Sequence, residues 1–210
     1  MELFMRERIV WFIFIVGFIA CLSLLPAHES NATPMSPKFE KAVQIVLQHE
    51  GGLTNDKDDA GGTTKYGISL RYIKQTHLDI NGDGVIDAND IIHLTQSEAD
   101  MIYLHRWWLV YHYDEINDVN VATKLFDASV NMGASRAHKL VKMSLNHLYK
   151  KQIKVNANLD EATVKLINGI EPCLMLDEMR MEEEEFYKEI VARNPSQRKF
   201  LSGWLKRASW

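Results

Sequence analysis

Cysteine is scarce in this chain. Of its 210 residues two are cysteines, and Cys21 sits inside an N-terminal apolar run, which leaves Cys173 alone in the remainder. One thiol builds neither a disulfide framework nor a cysteine zinc site. Positive charge is short as well: 24 lysines and arginines against 28 aspartates and glutamates leave a formal net charge of −4. With no basic stripe to offset that balance, nucleic acid is excluded as a partner. The eight histidines show no metal-ligand spacing, and no Ser-His-Asp or Cys-His arrangement is suggested. No internal repeat is evident. No segment reads as a strand of any length, although residues 52–68 leave room for a small hairpin.

The first 27 residues stand apart from the fold. Arg6 and Arg8 precede an uninterrupted apolar run from Ile9 to Leu25, and Pro26-Ala27-His28 follow it. A basic start, an apolar middle and a small residue at the exit read as a secretory signal peptide. The run of residues 9–25 is also close to the shortest length that spans a bilayer, so retention as an inner-membrane anchor is the rival expectation. Either way the remainder is expected outside the cytoplasm, in the periplasm or beyond the cell. Residues 28–36 are polar and make a linker.

From residue 37 onward the pattern is mainly α. Ser36-Pro37 is an N-cap followed by proline at the first helical position, where its missing N–H costs nothing. Phe39, Ala42, Val43, Val46 and Leu47 then mark one face of a helix that Gly51-Gly52 stops. Tyr66 to His77 reads as a second helix. Thr95-Gln96-Ser97-Glu98 is a capping box opening a helix through Trp108. Further helices are expected from Asp118 to about Asn131, across Ala137–Leu148, from Asp160 to Ile167, and from Pro172 to Ala192. A last one holds Phe200 and Trp204. The run Glu182–Glu185 reads as a solvated helix face, and Trp107, Trp108, Tyr111 and Tyr113 read as core before they read as sugar platforms.

Glu50 is the candidate catalytic residue. It follows Val46 by four positions and Val43 by seven, so it projects from the buried face of its helix. Burial beside apolar neighbours and the negative end of the helix dipole both favour a carboxyl group over a carboxylate. Such a group is suited to protonating a glycosidic oxygen.

A second constellation points to metal. Asp79, Asn81, Asp83, Asp87 and Asp90 supply oxygens at positions one, three, five, nine and twelve of a twelve-residue calcium loop. The carbonyl of Val85 falls at position seven, with Gly84 at the sharp turn. Ile86 takes the apolar eighth place. Aspartate at position twelve resembles dockerin-type loops, so the expected cofactor is one loosely bound structural calcium ion.

The stretch from Glu50-Gly-Gly through Asp59-Ala-Gly-Gly to Thr64-Lys-Tyr-Gly-Ile resembles the signature of the lysozyme-like glycoside hydrolase family 108. Leu125-Phe-Asp-Ala-Ser-Val-Asn-Met-Gly133 and Phe200-Leu-Ser-Gly-Trp-Leu-Lys-Arg207 are similar to the helical peptidoglycan-binding module that accompanies that family. The resemblance covers residues 37–208. It implies a lysozyme-like helical fold, to which the 79–90 spacing adds a single EF-hand/dockerin-like calcium loop, with a catalytic part at 37–118 and a binding module at 119–208 packed on it. It implies a muramidase with peptidoglycan as its partner and Glu50 as general acid. Asp59 then positions water or stabilises an oxocarbenium-like centre, or merely forms an Asx-turn. Thr64 orients that water or caps a helix. Tyr66 and Asn131 are candidate substrate contacts, Asn131 also a candidate cap. Two departures stand out: Leu53 occupies a usually aromatic place, and the interval from Asp59 to Thr64 is one residue shorter than in phage-type lysozymes. A lytic transglycosylase and a non-catalytic, calcium-dependent cell-wall-binding protein are the alternative readings. Phage endolysin, cell-wall remodelling enzyme and toxin all suit an exported enzyme of this kind.

Overall fold

The computed structural model describes residues 35–52 and 62–210. The expected leader, including the apolar run of residues 9–25, lies outside them, as do Leu53 and Asp59. Among the described residues no helix is long and apolar enough to cross a membrane.

Ser36 accepts from the Phe39 amide and opens α1 (Pro37–Glu50), which ends where Gly51 turns to φ +78° and donates to Leu47 O. A two-stranded hairpin follows, β1 (Thr64–Lys65) and β2 (Ile68–Ser69), paired antiparallel with Thr64 opposite Ser69. The sequence suggested helix from Tyr66, but Tyr66 and Gly67 both take positive φ, +52° and +77°. That is the requirement of a tight hairpin turn. The helix starts only at α2 (Leu70–Thr76), capped by Ser69. The last residues of the 79–90 loop open α3 (Ala88–His93), and α4 (Gln96–Tyr103) follows, each with a reciprocal capping box. The chain beyond Tyr103 widens into a π-turn at Leu104–Trp108, with Leu109 N donating to Leu104 O.

Four long helices complete the molecule: α5 (Val119–Met132), α6 (Ala134–Tyr149), α8 (Pro172–Arg193) and the final α9 (Arg198–Ala208), with the short α7 (Glu161–Asn168) between α6 and α8. Helix α5 is the hub. It is buried without a break from Val121 to Ser129, as a helix surrounded on all sides must be. α1 and α6 pack on it, α8 packs on α6, and α9 packs on α8. Between α1, α4 and α5 sits an aromatic cluster in which Phe39, Trp108, Tyr103 and Tyr113 all lie with ring centroids within 6.3 Å of the Phe126 ring, Trp108 and Tyr103 edge to face and the other two tilted. Burying one such side chain stabilises by roughly 1.5–3 kcal/mol. Trp108 and Tyr113 are therefore core, as their setting in the sequence suggested.

One sequence reading is overturned. Glu182 and Glu183 do not lie on a solvated face but are buried against α5 and α6. Their position beside Met175, Met179 and Tyr187 on the inner side of α8 is tolerated because each finds a cation or imidazole. Glu183 Oε2 accepts from Lys124 Nζ at 2.9 Å, and Glu182 Oε1 lies 2.9 Å from His147 Nδ1.

Candidate active site

Glu50 closes α1, and its side chain is 20% exposed. Three elements hold it. From β1–β2, Gly67 lies flat against it: a methyl group at that position would come within 2.7 Å of Glu50 Cγ and collide with the Tyr103 hydroxyl. From α4, Tyr103 ties the hairpin down by donating to Tyr66 O at 2.9 Å. Burial first, and then the charge of Glu50, push the Tyr103 phenol far up, so it stays a hydrogen-bond donor. From α9, Arg207 Nη2 donates to Glu50 Oε1 at 2.7 Å.

Arg207 is itself anchored on α5. Its Nε and Nη2 grip Asp127 Oδ2 and Oδ1 at 3.0 and 2.7 Å. Asn131, one helical turn on, presents its amide oxygen to Nε and Nη1 at 3.1 and 3.0 Å in the orientation that satisfies both groups. His49 Nδ1 donates to Asp127 Oδ1 at 2.9 Å from α1. Burial alone would raise the Asp127 pKa; the hydrogen bonds from His49 and Arg207 outweigh it and hold the group below the usual carboxylate range.

Of the residues singled out in the sequence, the structure gathers Glu50, Tyr66 and Asn131 around one network. Tyr66 serves it through its backbone carbonyl, and Asn131 through Arg207. Thr64 does not cap a helix, because it lies in β1 and its hydroxyl donates to Gly62 O at 3.2 Å. Asp127, Arg207, His49, Gly67 and Tyr103 were not singled out as site residues by sequence reasoning. A signal for part of this was present: Lys124, Asp127 and Asn131 recur at helical spacing between the apolar residues of α5, which marks a polar stripe in a buried helix.

A second charged layer backs the first. Lys124, fully buried, donates to Glu183 and to the Arg207 and Ala208 carbonyls at 3.3 and 2.8 Å. It thereby secures the end of α9 that carries Arg207. Burial pushes the Glu183 carboxyl up to about 7 despite Lys124. Because Glu183 binds its proton more tightly folded than unfolded, its contribution to stability falls as pH rises from about 4.5 to about 7. Lys124→Met removes the compensating cation. The expected loss is about 3–5 kcal/mol at pH 8 and distinctly less at pH 5, where Glu183 is protonated. Urea unfolding at the two pH values checks this, and equal losses would contradict it.

In the 79–90 loop the side chains already fold inward. Asp79 Oδ1 and Oδ2 accept from the amides of Gly82 and Gly84, each at 2.8 Å, and Asp83 Oδ1 accepts from Val85 N at 2.8 Å. Asn81 Oδ1 accepts from Asp83 N at 2.9 Å, and Asp87 Oδ1 from Asn89 N at 2.7 Å. Asp90, fully buried, accepts from Ile80, Asn81 and Asp87 amides. Ile86 packs on the core. The donor set fits a hard cation that takes oxygen ligands, yet the carboxylates stand further apart than in a closed cage. Among the described residues, three metal-capable side chains bring ligand atoms within 4.8 Å of one another only at His147, Glu178 and Glu182. There the imidazole-to-carboxylate distances of 2.8 and 2.9 Å are those of hydrogen bonds.

Residues 43–133 match the family model of glycosyl hydrolase 108, and residues 136–209 match that of a predicted peptidoglycan domain. The first match ends at Gly133, where φ is +85° and α5 gives way to α6. Among solved structures, SagA of Brucella abortus is similar in fold, with a TM-score of 0.59 at 20% identity over 81% of this chain and 92% of its own. No curated protein gives a match.

Proposed function

The chain belongs to glycosyl hydrolase family 108 through residues 43–133, with a predicted peptidoglycan domain at 136–209, and from that premise we propose that it is a muramidase whose general acid is Glu50. The observation that carries the reading is the setting of Glu50. This one carboxyl closes a helix inside the matched segment, is largely withdrawn from water, accepts from Arg207 of the last helix and lies against Gly67 of a hairpin that Tyr103 ties down. Such immobilisation suits a group that must meet a particular oxygen at hydrogen-bond distance.

In this mechanism Glu50 gives its proton to the oxygen joining C1 of N-acetylmuramic acid to N-acetylglucosamine. The C1–oxygen bond breaks, and positive charge develops at C1. Water then adds to C1 and loses its surplus proton to the surrounding solvent, from which Glu50 is reprotonated, so that a free reducing end results. Asp59 is proposed to stabilise C1 or direct the water, Thr64 to orient that water, and Tyr66 and Asn131 to border the sugar. Peptidoglycan is met outside the cytoplasm, which agrees with an export segment in residues 1–27 as signal peptide or anchor.

Mass spectrometry of the products tests the reading. Free reducing N-acetylmuramic acid ends are expected. Anhydro ends would replace hydrolysis by transglycosylation, in which the sugar's own hydroxyl takes the place of water. Binding to peptidoglycan with no soluble product would leave only a wall-binding protein.

We further propose that one calcium ion is held by the carboxyl and amide oxygens of Asp79, Asn81, Asp83, Asp87 and Asp90 and the carbonyl of Val85. Its part is structural, fixing α2 against α3 beside the hairpin. Added calcium should raise the melting temperature, by the equivalent of about 2.7 kcal/mol at a concentration of one hundred times Kd. Asp79→Ala should abolish that rise, and should lower the calcium-free melting point only by what its two exposed bonds from the Gly82 and Gly84 amides contribute. A calcium response that persists in Asp79→Ala would place the ion elsewhere.

A further inference from the structure

Arg207 reaches the acid from the last helix, 157 residues further along the chain and inside the peptidoglycan-domain match. Its two contacts differ in kind. Toward Asp127 it offers a two-pronged fork; toward Glu50 it offers a single bond. The difference has a chemical consequence. A largely buried guanidinium requires a counter-charge. Were Glu50 the only supplier, it would be fixed as a carboxylate with no proton to give.

We propose that Arg207 is a positioning residue for Glu50 and that Asp127 is its dedicated counter-ion. Arg207 orients the Glu50 carboxyl and receives the negative charge left there once the proton has moved to the sugar oxygen. Asp127 neutralises Arg207 beforehand, so that Glu50 is free to hold that proton. The active site then draws on both family segments, and the hydrolase segment lacks one of its parts. This inference rests on Glu50 acting as the general acid.

Among the described residues, the groups facing Glu50 are Arg207 from α9, Asp127 from α5, Tyr103 from α4 and its neighbour His49 on α1, with Lys124 and Glu183 one layer behind. Removing either member of the Arg207–Asp127 pair therefore has an opposite electrostatic effect at the acid. In the full chain, Arg207→Met should move the alkaline limb of the pH–rate profile up by about one pH unit, because the nearest cation is lost. It should also lower kcat about 10- to 100-fold with a smaller change in KM, because the carboxyl loses its guide. Asp127→Asn should move the same limb down, since Glu50 becomes the principal partner of Arg207. Arg207→Lys keeps the charge and loses the fork, so its limb should stay near that of the wild type while its kcat is intermediate.

A merely structural role would lower the melting temperature of these variants and leave the limbs in place. Coincident limbs for wild type, Arg207→Met and Asp127→Asn would overturn the proposal. If Arg207→Met does not fold, the downward shift in Asp127→Asn and the kcat of Arg207→Lys decide it in the same way. Absence of soluble product from the wild type would sink the enzymatic reading itself. An active wild type with a silent Glu50→Gln and unmoved limbs would sink only this inference.

Discussion

Glu50→Gln is expected to slow glycan cleavage by about 10²–10⁴-fold while leaving the fold intact. Glutamine has the shape of the protonated acid and keeps an oxygen for Arg207 Nη2, now 2.7 Å from Glu50 Oε1. Arg207 retains its fork on Asp127, so no charge is stranded by the change. What glutamine lacks is a proton that can be donated to a leaving oxygen. Turbidity loss of purified peptidoglycan gives the rate, and a melting curve shows whether the fold is unchanged. A loss of rate accompanied by a collapse in melting temperature would point to structure instead of chemistry.

Gly67→Ala should be nearly as damaging by a different route. Its φ of +77° is one that a residue with a Cβ adopts at a cost of about 1–2 kcal/mol. The new methyl would also stand 2.7 Å from Glu50 Cγ and 2.9 Å from its Cβ, with the Tyr103 hydroxyl in the way on the other side. Tyr103 is fully buried, so the part that yields is the acid or the hairpin. A displacement of about 1 Å at a catalytic group costs on the order of 100-fold in rate. The expected outcome is that loss together with about 2–4 kcal/mol of destabilisation from strain and overpacking combined. Gly203→Ala is the matching control: its Cβ meets nothing within 4 Å, and alanine within a helix should stabilise slightly. Activity close to that of the wild type in Gly67→Ala would show that the hairpin does not fix the acid.

The helices were legible because their ends are written locally. Ser36, Thr95, Asp118 and Asp160 each cap the helix expected of them, and Pro172 begins the long one. Glu50 was legible for the same reason, since its place on the buried face follows from spacing to Val43 and Val46. The hairpin was legible only as room for one within residues 52–68, and its bounds at 64–69 were not, because Thr-Lys-Tyr-Gly-Ile carries no alternation long enough to show a strand and only Gly67 hints at a turn. The ties of Arg207 to Asp127 and Glu50 span 80 and 157 positions, and nothing near either end of such a pair announces its partner. Glu182 and Glu183 misled for a related reason. A run of four acidic residues resembles a wet surface until Lys124 and His147 arrive from other helices.

The most direct test is a paired digest of purified peptidoglycan by the full-length wild type and Glu50→Gln, with muropeptides weighed by mass spectrometry. Soluble fragments ending in reducing N-acetylmuramic acid from the wild type, and none above the buffer blank from the variant, are the predicted result. Equal release by both proteins would contradict the assignment of the acid.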